Sequence, residues 1–257
     1  MLKIITSNKN EEIIHFYRLI HDKKYREANK LFIIEGFKLL DEALQNQQTI
    51  VSIIINEHVY NKEFETIFKY TLYDNIQIYK VSGNIIKKLS VNIEPSPILA
   101  VVKIKQEMCD INDNILLLDN IQDPGNLGTI LRTCFAFNIK QVIFNNCVDL
   151  YNPKTIKASM GAIFKINFLR FNDSKLALNF LLKNKFYLIA TILDKNAISL
   201  NEITIKQKYC LMVGNEGHGL VQTFIDHAHI KTMIKMNQTE SLNVAVAAAI
   251  FLYELNK

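Results

Sequence analysis

Cysteine is scarce and scattered in these 257 residues: Cys109, Cys134, Cys147 and Cys210 are the only four. They show neither close-paired metal spacing nor the density of a disulfide scaffold, which leaves buried or idle thiols and a reducing compartment. No apolar run is long enough to cross a bilayer; the longest, Val244 to Tyr253, has about half of the roughly 20 residues a helix needs. The N-terminal stretch, with Lys3, Lys9, Glu11 and Glu12, lacks the apolar core of a signal peptide. A cytoplasmic protein with no membrane partner is expected. Metal is not expected either, because His227-Ala-His229 has no carboxylate or cysteine at ligand spacing. Charge of one sign does not dominate, and a net +5 permits a polyanion partner without establishing one. Of the thirty basic side chains, arginine supplies only Arg18, Arg26, Arg132 and Arg170.

Proline is missing from the first 94 residues, and then Glu94-Pro95-Ser96-Pro97 reads as a stiff, extended connector. Domains at 1–93 and 110–257, with a linker over 94–109, are the expected division. In the first part, Glu11 to His21 and Phe37 to Leu44 have helical periodicity. Leu31 to Ile34 and Val51 to Ile55 read as short buried strands, giving a small α/β unit. In the second part, apolar runs recur at Ile115 to Leu118, Gln141 to Phe144, Lys165 to Phe171, Phe186 to Ala190, Tyr209 to Val213 and His229 to Met236. Helical stretches lie mostly between them, the pattern of a largely parallel sheet covered on both faces.

Glycine is also sparse, and five of the eight sit in two loops that follow apolar runs. In the first loop, Asp123-Pro-Gly-Asn126, Pro124 and Gly125 are read as a turn, followed by a helix from Gly128 to Phe137 that carries Arg132. Asn126 and Arg132 then face one space. The plainer alternative makes Asn126 a helix cap and Arg132 a solvated charge. The second loop, Gly214-Asn-Glu216-Gly-His218-Gly219, reverses the glycine order of a pyrophosphate fingerprint. Glu216 reads there as a polar group held on rigid backbone. A third segment, Glu240-Ser241-Leu242-Asn243, opens the last helix, with Ser241 at the expected cap and Leu242, Val246, Ala249, Ile250 and Tyr253 as one buried stripe. Its alternative is a core helix with a serine cap.

These segments, with Pro153-Lys-Thr-Ile-Lys-Ala-Ser-Met-Gly161-Ala, resemble in order the signature segments of SpoU-type RNA ribose 2'-O-methyltransferases. Ile5-Thr-Ser-Asn8 and Phe32-Ile-Ile-Glu35-Gly36-Phe-Lys38 are similar to that family's small RNA-binding domain of ribosomal-protein type. The resemblance implies S-adenosylmethionine as methyl donor, a homodimer and a C-terminal trefoil knot, a rare exception to the rule that chains do not thread loops. It implies RNA as substrate, ribosomal rather than transfer RNA because of the separate N-terminal domain.

By the same resemblance Arg132, Asn126, Glu216, Ser241 and Asn243 are the catalytic positions. Gly214, Asn215, Ile234, Met236, Ser241 and Leu242 hold the cofactor. Free guanidinium loses its proton only above about pH 12. Two roles therefore stay open for Arg132: base assisted by the substrate phosphate, or electrostatic anchor. One departure is visible. The family's Ile-Pro-Met and glycine turn is here Ile234-Lys235-Met236-Asn237-Gln238-Thr239, without proline or glycine. A catalytically silent RNA-binding protein on the same scaffold, a tRNA-directed enzyme and a nucleotide-binding oxidoreductase are the competing readings. Retention of all five polar positions favours an active enzyme, and the missing forward fingerprint disfavours the oxidoreductase.

Overall fold

Short isoleucine-, leucine- and valine-rich runs form the strands and amphipathic stretches the helices, in a computed structural model that describes residues 2–59, 65, 76–194, 196–238 and 241–257. The chain divides into two compact units, Met1–Lys105 with Tyr151–Lys157, and Gln106–Leu150 with Ala158–Lys257.

In the first unit the described elements are β1 (Leu2–Ile5), α1 (Glu11–His21), α2 (Lys23–Asn29), β2 (Leu31–Glu35), α3 (Phe37–Gln45), β3 (Ile50–Asn56), β4 (Gln77–Val81), α4 (Gly83–Leu89) and β5 (Ile98–Lys103). The sheet order is β1-β4-β3-β5-β2, with β5 antiparallel to both neighbours and the other pairs parallel. Asn10 caps α1, its side chain accepting from Glu12 N at 2.9 Å, and Glu11 and Glu12 complement the positive end of the helix. Ile13, Phe16, Leu19 and Ile20 of α1 are buried with Ile85, Ile86 and Leu89 of α4 over Ile54, Tyr79, Leu99 and Val101 of the sheet. Each such side chain contributes about 1.5–3 kcal/mol by leaving water.

The expected linker is not a linker. Ile98–Lys103 is an inner strand of the first sheet, Pro97 O accepts from Asn56 N at 2.8 Å, and Ser96 N donates to Glu35 Oε1 at 2.9 Å. The expected boundary at 93 therefore falls inside the first unit. A strand buried on both faces carries no period of two, so its apolar run gave no strand signal beside the two prolines.

The second unit holds β6 (Ile115–Asp119), α5 (Pro124–Ala136) and β7 (Gln141–Asn145); α6 (Pro153–Ser159) straddles the division. There follow β8 (Asn167–Phe171), α7 (Ser174–Lys183), β9 (Tyr187–Thr191), β10 (Ile198–Ser199), β11 (Tyr209–Val213), α8 (Gln222–Asp226), β12 (Ile230–Met233) and α9 (Val244–Leu255). The seven strands, in the order β10-β12-β9-β11-β6-β7-β8, are all parallel, the architecture expected from the alternating pattern. From β6 the chain steps to β7 and β8 on one side, whereas from β11 it steps to β12 on the other. Diverging connections of this kind open a crevice at the carboxyl ends of the strands. Ala177, Leu178 and Leu181 of α7 and Phe224 of α8 cover one face of the sheet.

Three local expectations are corrected. Pro124 and Gly125 are not a free turn but the first residues of α5: Asp123 is the cap, accepting from Asn126 N at 2.7 Å, and proline fits the first helical position, where no amide is needed. Ser241 is not the cap of α9; Asn243 is, accepting from Ala245 N at 2.9 Å and Val246 N at 3.3 Å. The stripe assigned to the core is mostly the outer face. Val246 is 48% exposed, Ile250 37% and Tyr253 55%, while Val244, Ala245, Ala248, Phe251 and Leu252 are buried. A helix apolar nearly all round does not announce which face packs.

All four cysteines are free thiols, Cys134 and Cys210 buried and the other two half-buried. Burial pushes Cys109 up to about 11 and Cys147 to about 12, so none is poised as a nucleophile. Among the described residues, no helix is long and apolar enough to cross a membrane, and no group of three His, Cys, Asp or Glu side chains could hold a metal ion.

Candidate active site

Four parallel strands, β6, β11, β9 and β12, deliver their carboxyl ends to one edge of the second sheet, and the loops that leave them build the site. The loop after β11 closes on itself. Asn215 N donates to Gly219 O at 3.1 Å, Gly219 N returns to Asn215 O at 2.8 Å, and Asn215 Oδ1 accepts from Gly217 N at 2.8 Å. Asn215 Nδ2 then donates to Asn120 O at 2.9 Å, tying this loop to the one after β6. Gly214 is required here by close approach, because a Cβ at this position would run into the backbone of Gly219 and Leu220. Gly219 has φ +66°, the left-handed region open to glycine without strain.

A cavity of about 580 Å³ lies against this loop. Gly214, Asn215, Ile234, Met236, Ser241 and Leu242, the six residues expected to hold a cofactor, all line it. Glu216, His218, Asp194 and Lys231 add charge or polarity at its wall, and Ile192, Val244 and Phe251 add apolar surface. Ile234 and Met236 reach the cavity although Lys235 replaces the proline between them, so the departure in sequence leaves both side chains on the wall. Thr239 and Glu240 lie outside the described residues.

The polar residues meet at the cavity's edge. Asn126 Nδ2 donates to Glu216 Oε1 in a short hydrogen bond, and Asn243 Nδ2 donates to Asn126 Oδ1 at 3.0 Å. Three expected catalytic residues, from α5, the β11 loop and the cap of α9, thus form one chain of bonds. Glu216 lines the cavity, while Asn126 and Asn243 line a separate groove of about 480 Å³ between α5 and α9, with Thr129, Thr133 and Tyr253. The chain of bonds therefore spans from the cavity to the groove. Ser241 lines the cavity and is exposed, two residues before the cap.

Arg132 does not join them. At 100° per residue the six-residue spacing sets it about 120° around α5 from Asn126 and about 9 Å further along. It is exposed and has no hydrogen bond or ion pair among the described residues. The expectation that Asn126 and Arg132 face one space fails within a single chain, because residues on one helical face recur at three or four, not six.

One positioning residue was missed. Asp119, at the end of β6, is buried with its Oδ1 accepting from Asn145 Nδ2 at 2.8 Å and its Oδ2 from Val221 N at 2.9 Å. It fixes the far end of the glycine loop to the centre of the sheet. A lone acid closing the run Ile115-Leu-Leu-Leu-Asp119 was the available signal, since an unpaired buried carboxylate persists only where donors meet it.

Comparison with known proteins places this geometry. Residues 113–253 match the family described as SpoU rRNA Methylase, and residues 33–108 match RNA 2'-O ribose methyltransferase substrate binding. The 23S rRNA (guanosine(2553)-2'-O)-methyltransferase RlmP of Bacillus subtilis (strain 168) is 32% identical over 256 residues, 99% of each chain. A crystal structure described as an RNA 2'-O ribose methyltransferase superimposes with TM-score 0.82 at 29% identity, covering 98% of this chain and 97% of that one. The AdoMet-bound rRNA methyltransferase of Sinorhizobium meliloti gives TM-score 0.87 at 24% identity over 98% and 97%, a likeness of fold.

Proposed function

This chain belongs to the SpoU rRNA methylase family, and we propose that it transfers a methyl group from S-adenosylmethionine to a ribose 2'-hydroxyl of ribosomal RNA. The observation that carries this reading is the chain of bonds Glu216–Asn126–Asn243, which runs from a cofactor-sized cavity to an open groove. Ribosomal RNA is supported by the relative RlmP, named for 23S rRNA and matched along its whole length. Work on ribosomal RNA fits a cytoplasmic protein.

The cavity fits the donor. Its glycine loop brings backbone where a side chain would collide, its wall is mixed apolar and polar, and it lies at the strand ends where α/β sheets take nucleotides. Gly214, Asn215, Ile234, Met236, Ser241 and Leu242 would hold it. When bound, S-adenosylmethionine supplies an electrophilic sulfonium methyl and departs as the neutral thioether. The residues of this chain then have two tasks. Glu216, Asn126, Ser241 and Asn243 orient the ribose so that its 2'-oxygen lies in line with the methyl carbon; alignment of this kind is worth up to about 7–11 kcal/mol. The 2'-proton must leave as the oxygen–carbon bond forms, and assisted removal adds about 10²–10⁴-fold.

Arg132 is the residue proposed at the nucleophile, as a base assisted by the substrate phosphate or as an anchor for ribose and phosphate. Because it turns away from Asn126 in its own chain, the arginine of a working site would come from a second copy docked along α5 and α9. The exposed face formed by Val246, Ile250 and Tyr253 supports such a two-fold contact.

The assignment is checked by Arg132→Ala. Methyl transfer should fall to background while calorimetry finds S-adenosylmethionine affinity within a few-fold of wild type. Unchanged turnover would remove Arg132 from the chemistry.

A further inference from the structure

The segment that matches the family's substrate-binding description begins at residue 33, so α1 and α2 lie outside it. Their outer surface has an unusual composition. With Ile13, Phe16, Leu19 and Ile20 facing the core, helical spacing puts Ile14, Tyr17, Arg18 and His21 together on the solvent stripe of α1. The solvent face of such a helix ordinarily alternates charges. Here the four positions carry no carboxylate; Ile14 is 46% exposed and Tyr17 41%.

The flat groups on this stripe are already arranged in pairs. The Tyr17 and His21 rings lie 4.3 Å apart between centroids, and the Arg18 guanidinium lies 3.8 Å over the Tyr25 ring, steadied by Asp22 at 4.0 Å. Lys88 Nζ sits 5.7 Å from the Tyr17 ring and donates to Asn8 O at 3.0 Å, leaving ammonium hydrogens for an anion. Burial and the charge of Arg26 hold His21 below its ordinary value, so at neutral pH it is an uncharged ring.

Building on the RNA methyltransferase reading, we propose that this stripe is a stacking platform for unpaired bases of the RNA substrate, with the exposed Tyr17 ring, backed by the His21 ring tilted 44° to it, as one plane, Arg18 on Tyr25 as the other, and Lys88 toward a phosphate. Bases splayed from a loop stack on aromatic rings and guanidinium planes whatever their sequence. A stripe of one helix is far smaller than the roughly 800 Å² per side of a stable protein contact, whereas two bases need only two planes. Cations with rings suit a polyanion that carries π-faces.

The test uses the full chain and a short fluorescein-labelled oligoadenylate, read by anisotropy, with the same strand annealed to oligouridylate as a duplex. Tyr17→Ala/His21→Ala and Arg18→Ala should each weaken single-strand binding about 5- to 150-fold for every base unstacked. Tyr17→Phe should stay within about twofold, since the ring is what stacks. Duplex binding should not respond. In methyl transfer to ribosomal RNA, the Ala variants should raise KM and leave kcat in place. A doubly substituted protein with native circular dichroism and wild-type affinity for the single strand overturns the platform. So does a variant whose only change is altered self-association, which would make the stripe a protein contact. Tyr17-dependent oligoadenylate binding without methyl transfer to any RNA supports the platform and overturns the enzymatic reading on which the substrate assignment rests.

Discussion

Asn126 illustrates how one side chain can be legible by type and not by partner. Its place in Asp123-Pro-Gly-Asn126 marked it, but that its amide would donate to Glu216 and accept from Asn243 depends on contacts spanning 90 and 117 residues, which no local pattern encodes. Asp119 shows the converse: nothing in the chemistry of methyl transfer asks for it, yet it holds Val221 N and Asn145 Nδ2. Asp119→Ala leaves one hydrogen of the buried Asn145 amide without an acceptor, at a cost of about 1–3 kcal/mol. Chemical denaturation should read that loss, together with weaker cofactor binding; wild-type stability would mean that water replaces the carboxylate.

At the scale of elements, six of the seven strands of the second sheet and helices such as Glu11–His21 were read correctly, because apolar runs and clear helical spacing are local signals, whereas the two-residue β10 gave no such run. Two of the failures share a cause. β5 and α9 are apolar on more than one side, and there periodicity no longer tells packed from exposed. The threading implied by family resemblance is likewise a property of the chain path rather than of any residue pattern. The glycine loop, in contrast, was marked by composition and works by shape. Gly214→Ala should push Gly219 and Leu220 out of register. We expect about 1–3 kcal/mol of destabilisation and at least a tenfold loss of S-adenosylmethionine affinity, read by thermal unfolding and calorimetry. Retained affinity would place the cofactor away from this loop.

The whole molecule joins two units of different build, a mixed five-stranded sheet and an all-parallel seven-stranded one. The proposed second copy enters at this scale. Ile250→Asp puts a charge into the exposed face of α9 and should convert a dimer to a monomer by light scattering, with methyl transfer lost alongside. Mixing Arg132→Ala with Glu216→Ala protein should restore about a quarter of wild-type activity through mixed dimers that hold one intact site. Silence in a mixture of two variants that are each inactive alone would place Arg132 and Glu216 in the same chain's site.

The central claim is methyl transfer to a ribose 2'-oxygen, and 2'-O-methylation blocks alkaline cleavage of the adjoining phosphodiester. Ribosomal RNA from cells lacking this protein, incubated with the purified chain and tritiated S-adenosylmethionine and then hydrolysed in alkali, should yield label in an alkali-resistant dinucleotide, and Arg132→Ala protein should yield none. Label recovered in a base, or in alkali-labile mononucleotides, would contradict the account.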